Sequence, residues 1–162
     1  MTSIQLEIRP MVRMLVRVAL FALTTQLSAA AEWTYVAPAL GKSPAGASVK
    51  GTMEIDVGSV APVDKAVKAW FKLTYKADVV NPVNAAQPIR KVKFLYYHLC
   101  EAHKRALIQI MYDNAAGATV YSSSFANASP KFEEVLPDTT GEAWLKAACK
   151  IAAMKQKTAA TP

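Results

Sequence analysis

The stretch Val67-Lys68-Ala69-Trp70-Phe71-Lys72-Leu73-Thr74-Tyr75-Lys76 decides the fold. Its odd positions hold Val67, Ala69, Phe71, Leu73 and Tyr75, and its even positions hold Lys68, Trp70, Lys72, Thr74 and Lys76. Successive side chains of a strand point to opposite faces, so this period of two predicts a β-strand with one buried and one wet face. Arg90 to Leu99 repeats the pattern, with Val92, Phe94, Tyr96, His98 and Cys100 on one side and Lys91, Lys93, Leu95, Tyr97 and Leu99 on the other. If lysine marks the solvent side in both, Cys100 falls on the core side. Between them Asp78 to Pro88, with Asn81-Pro82, Asn84 and Pro88, holds too many prolines for a sheet interior and predicts a long hairpin connection.

Outward from this pair, Trp33 to Val36 reads as a first strand, Gly41 to Gly51 as a loop and Thr52 to Asp56 as a second strand. Toward the carboxy end, Ala106, Ile108, Ile110 and Tyr112 read as an inward-facing set, and Thr119 to Ser123 as a short sixth strand. Asn127 to Pro137 reads as loop. Thr139-Thr140-Gly141-Glu142 then spells a capping box, in which hydroxyl and carboxylate satisfy orphan amides at a helix start. A helix is predicted from about Thr140 to Met154, its apolar stripe of Trp144, Leu145, Ala148, Cys149, Ile151 and Ala152 laid across the sheet. The fold class is therefore α+β: an antiparallel sheet of about six strands with a C-terminal helix packed on one face.

Arg9, Arg13 and Arg17, the apolar run from Val18 and the small residues Ala29 to Ala31 follow the grammar of a secretory signal. The uncharged stretch Val18 to Ala31 covers 14 residues, short of the roughly 20 a bilayer span needs. Cleavage is expected before Glu32, with Met11 or Met14 as alternative starts to Met1, and residues 32–154 form one domain followed by a flexible tail, 155–162. No cysteine follows the apolar run closely, so no lipid anchor and no transmembrane span are expected in the mature chain, which is soluble and periplasmic, secreted or at the cell surface. After cleavage 16 basic residues face 11 acidic ones, a net charge of +5. This favours anionic partners by steering; nucleic acid is set aside for an exported chain, which leaves lipopolysaccharide, acidic polysaccharide, membrane surface or an acidic host protein. The same excess also serves solubility alone.

Cys100 and Cys149 are the only cysteines. In an oxidising compartment they read as one bridge, closing a loop of about 50 residues and contributing roughly 4 kcal/mol in the chain-entropy description. Free buried thiols are one alternative, and a metal site formed with His98 and His103 is another, although the spacing matches no common zinc signature. Haem carriage by His98 with Tyr96 or Tyr97 is a separate alternative, without a CxxCH motif to support it. Catalysis finds no foothold: there is no GxSxG elbow, no phosphate-cradling glycine loop, and both histidines lie beside the expected bridge. The chain reads as no enzyme, with no cofactor.

This order of features resembles the surface-adhesin protein E family. The resemblance runs through Trp33, Met53 to Asp56 with Ser59-Val60, Val67 to Tyr75, Cys100, Lys104-Arg105, Tyr112-Asp113, Gly117, Val135-Leu136-Pro137, Gly141-Glu142 and Cys149. It implies an antiparallel sheet whose terminal helix is tied down by Cys100 and Cys149. It further implies adhesion to host extracellular-matrix proteins and epithelial surfaces, with haem binding as a further property of the namesake. The residues themselves offer a ligand-binding face of Lys68, Trp70, Lys72, Lys91, Lys93 and Tyr97, with tryptophan as anchor among cations. Its alternatives are a plain solvent face or a homodimer contact, and an envelope protein without a small ligand is a third reading of the whole.

Overall fold

The computed structural model describes residues 31–125 and 129–161, all within one unit spanning Ala31–Pro162. The signal segment and the alternative starts expected from the sequence lie outside the described residues, apart from Ala31. Among these described residues, eight strands and one helix follow in the order β1 (Trp33–Lys42), β2 (Ser48–Asp56), β3 (Ala61–Val63), β4 (Ala66–Val79), β5 (Ile89–Leu99), β6 (Lys104–Asp113), β7 (Thr119–Ser124), β8 (Glu133–Glu134) and α1 (Thr140–Ala159). The main path through the sheet is β1-β2-β4-β5-β6-β7, with β3 added to β4 and β8 to β6. Every pairing is antiparallel.

Register turns the alternation of each strand into shared faces. Phe71 lies opposite Ile55 on one side and Phe94 on the other, and Phe94 opposite Ile110. In the next row, Leu73 lies between Met53 and Val92, and Val92 opposite Tyr112. Phe71, Met53 and Ile55 are fully enclosed, and each such side chain contributes roughly 1.5–3 kcal/mol.

The helix begins where the capping box predicts. Thr139 is the N-cap and its hydroxyl accepts from the Glu142 amide at 3.3 Å. The Glu142 carboxylate accepts from the Asp138 amide at 3.0 Å, one residue before the cap. Trp144 is laid onto the sheet by this start: it stacks on Phe71 at 5.4 Å and meets Phe94 and Tyr96 at 5.4 Å each. Farther along, Ala148 and Ala152 let the backbone come close to the sheet, and Cys149 is bridged to Cys100 across a Cα separation of 5.9 Å. The bridge fastens the helix to the end of β5.

Four expectations need correction. The sheet has eight strands rather than about six, because β3 and β8 are too short to show a local pattern. Much of the Gly41 to Gly51 loop is hairpin, since β1 runs to Lys42 and β2 starts at Ser48. The helix continues past Met154 to Ala159 instead of giving way to a tail at 155, and Lys155 is held there: its ammonium donates to the carbonyls of Val57, Gly58 and Val60 at 2.6, 3.3 and 2.9 Å. Finally, β6 carries an extra residue opposite β5, so Leu95 pairs with Gln109 but Tyr96 with Leu107. Beyond that bulge the parity reverses. Ala106 lies opposite Tyr97 on the far face, and Arg105, opposite His98, takes the inward position.

The helix covers only part of its face. Beyond Phe94 a second apolar cluster, Val49, Val79, Ile89, Val92 and Tyr112, continues the core toward the β4–β5 connection.

Candidate binding face

The face turned away from α1 is where register collects the residues singled out in the sequence. Lys68 pairs with Tyr97, Trp70 with Leu95, Lys72 with Lys93 and Thr74 with Lys91, so Lys68, Trp70, Lys72, Lys91, Lys93 and Tyr97 share one surface across β4 and β5. All six are half-buried. Trp70 is fixed further by its backbone amide, which donates to the Ser59 hydroxyl at 3.0 Å; that hydroxyl in turn donates to the Asp56 carbonyl at 2.7 Å. The turn after β2 thus sets the position of the tryptophan strand.

Electrostatically the surface is less cationic than its lysines suggest. Glu54, directly opposite Lys72 on β2, takes its ammonium at 3.0 Å, and the same ammonium stands 4.3 Å from the centre of the Trp33 ring. Lys93 pairs with Asp113 at 2.7 Å, and Asp113 is 3% exposed and also accepts from the Thr119 hydroxyl at 2.8 Å. Two lysines of the set are therefore committed to carboxylates within the protein, whereas Lys68 and Lys91 have no ion pair among the described residues. Glu54, Asp113 and Trp33 were absent from the sequence-derived set. Glu54 was legible from the alternation of its strand. The face of Asp113 was legible too, since it follows inward Tyr112 and stands opposite Lys91, but its pairing with Lys93 on the diagonal was not.

The residues of the haem or metal alternative sit elsewhere. Tyr96 and His98 lie side by side on the helix-covered face, ring centroids 5.8 Å apart. His98 has no exposed surface and meets Phe71 edge-on at 5.6 Å. Burial, and secondarily the positive charge of Arg105, pushes its pKa down to about 3, so the ring is neutral. Neither ring nitrogen has a hydrogen-bond partner among the described residues. Burial likewise raises the Tyr96 hydroxyl, against the opposing pull of Arg105. Arg105 itself is sandwiched, its guanidinium carbon 5.0 Å from the ring centres of both Tyr96 and Trp144. His103 stands apart in the exposed β5–β6 turn, with φ of 51°. Among the described residues no three of His, Cys, Asp or Glu are grouped to hold a metal. No described helix is long and apolar enough to cross a membrane.

No curated protein matches the chain. The profile of the family described as Surface-adhesin protein E matches residues 33–150. Among solved structures, crystal form II of Haemophilus influenzae protein E is 13% identical, with a TM-score of 0.46 over 62% of this chain and 82% of that one. A second structure of Haemophilus influenzae protein E is 14% identical, with a TM-score of 0.44 over 60% and 76%.

Proposed function

Because the chain belongs to the surface-adhesin protein E family, we propose that it is an exported, non-enzymatic binding module that holds an extracellular-matrix protein or an anionic polysaccharide against its outer sheet face. The observation that carries this reading is the register of β4 on β5, which gathers four lysines, Trp70 and Tyr97 on the surface opposite the helix. Lys68 and Lys91 supply the charge open to a partner; Trp70 and Tyr97 supply flat apolar area between them. Lys72 and Lys93, held by Glu54 and Asp113, keep the surface in shape. Surface cation–carboxylate pairs give up little energy when salt screens them, roughly 0–1 kcal/mol, so the contact should be salt-sensitive mainly through the two unpaired lysines.

Heparin affinity chromatography of the purified protein tests it. Elution is expected at a salt concentration that drops clearly in a Lys68→Ala, Lys91→Ala double variant and drops further when Trp70→Ala is added. Elution unchanged in the double variant would remove this face from the reading.

A further inference from the structure

The helix-bearing side of the sheet holds a second feature, separate from the face just described. Where the cover of α1 stops, at Phe94, the sheet surface dips into a cavity of about 350 Å³, at the small end of the roughly 300–1,000 Å³ of small-molecule sites. Leu73, Tyr75, Ile89, Val92, Phe94 and Tyr112 line it. Its lip belongs to the β4–β5 connection, where Val80 is 40% exposed. That lip is tied in place, because the Val80 amide donates to the Lys42 carbonyl at 2.8 Å. One wall depends on a missing side chain: a Cβ on Gly41 would stand 2.8 Å from Val79 Cγ1 and 2.9 Å from Tyr75 Cε1. Glycine there lets the tyrosine ring and Val79 close up against the β1–β2 hairpin.

The chemistry of this lining is narrow. Among the described residues that line it, Lys42 is the single charged one, and it is exposed at the mouth. No ion pair or side-chain hydrogen bond engages its ammonium among the described residues. Tyr75 and Tyr112 add two hydroxyls that burial keeps protonated. An interior this apolar disfavours a hydrated sugar, whose hydroxyls would lose water without finding partners. It suits a hydrocarbon chain, and a lone ammonium at the opening suits one carboxylate.

We propose that this cavity binds a single-chain carboxylate amphiphile, a medium-chain fatty acid, with its acyl chain over Leu73, Ile89, Val92 and Phe94 and its carboxylate at Lys42. Complementary charge at one end and apolar walls at the other fix the orientation. The site works independently of the outer face, since the two lie on opposite sides of the same sheet.

The test is titration of the purified protein with sodium dodecanoate below its micellar concentration, followed by calorimetry and by methyl NMR. Saturable one-to-one binding is expected, with shifts at the Leu73, Ile89 and Val92 methyls. Lys42→Glu, at an exposed position that leaves the walls untouched, should weaken dodecanoate at least tenfold while leaving dodecyltrimethylammonium binding no weaker. Absence of heat and of methyl shifts would overturn the proposal. So would shifts confined to Leu107, which lines a separate cavity with Tyr96 and Arg105, or dodecanoate binding indifferent to Lys42→Glu.

Discussion

Acidification from pH 7.5 to pH 5 should cost this protein about 2 kcal/mol of stability through one side chain, His98. An imidazole in the unfolded chain titrates near 6.5, whereas the folded environment, through burial and then through Arg105, holds the ring neutral down to about 3. Between those values the unfolded state binds more protons, so stability rises with pH across the window and is lost as pH falls. At pH 5 the unfolded imidazole is almost wholly charged and the folded one is not, and the difference integrates to about 2 kcal/mol, or roughly 8 °C in Tm for a domain of this size. The charged and titratable groups around the ring do not alter the sign: Arg105 on β6 opposes protonation, and Tyr96 stays neutral. Glu142, lowered by its hydrogen bonds from Lys146 and the Asp138 amide, contributes stability that is lost only as pH falls through the carboxylate range. Thermal unfolding of the wild type and of His98→Leu at pH 7.5, 6 and 5 measures the effect. The variant should flatten the profile, and at pH 7.5 it should be as stable as the wild type or more so, because both ring nitrogens lack partners and an apolar replacement of similar shape leaves nothing unsatisfied. A wild-type profile flat between pH 7.5 and 5, or an equal fall in His98→Leu, would refute the reasoning.

Three further outcomes follow from the packing. Gly141→Ala, which in an exposed helix gains roughly 1 kcal/mol, should destabilise here, because the new Cβ would stand 2.8 Å from Arg105 Nη1 and 3.0 Å from its Cζ; thermal unfolding gives the sign. Replacing both Cys100 and Cys149 by alanine should lose about 4 kcal/mol by denaturant unfolding, the loop-closure value for a separation of 49 residues. Lys155→Met keeps the aliphatic stem and removes the donors to Val57, Gly58 and Val60, so hydrogen exchange at the Val60 amide, which closes that turn onto Val57, should speed up while amides of β5 stay protected.

What the sequence disclosed and what it hid divide along local and non-local lines. The strand at Val67 to Lys76 and the capping box at Thr139 state themselves in neighbouring residues, and both are found in place. The basic face was legible too, since lysine parity in two strands sufficed to put Lys68 and Lys93 on one side. By contrast β8 is defined by backbone pairing of Glu133 and Glu134 with Arg105 and Lys104, a contact between distant segments that no local pattern announces. The bulge in β6 put Ala106, buried all the same, on the face of Tyr97 and turned Arg105 inward, and one residue of slip changes every face beyond it. The final turns of α1 were unreadable for a similar reason: the carbonyls that hold Lys155 come from a turn more than 90 residues earlier.

An open sheet has two rims, and the long one here is β1, whose outer amides and carbonyls face no strand among the described residues. Such a rim invites identical molecules to stack side by side into fibrils. Two residues within it work against that. Val36 is the extra residue where the register with β2 slips, and Pro38 has no amide hydrogen to donate. A second molecule approaching this border would meet an interrupted row and could form only a short ladder. Polymerisation is thus discouraged by the backbone itself, without any need for surface charge, which leaves Lys68 and Lys91 available for the recognition proposed above.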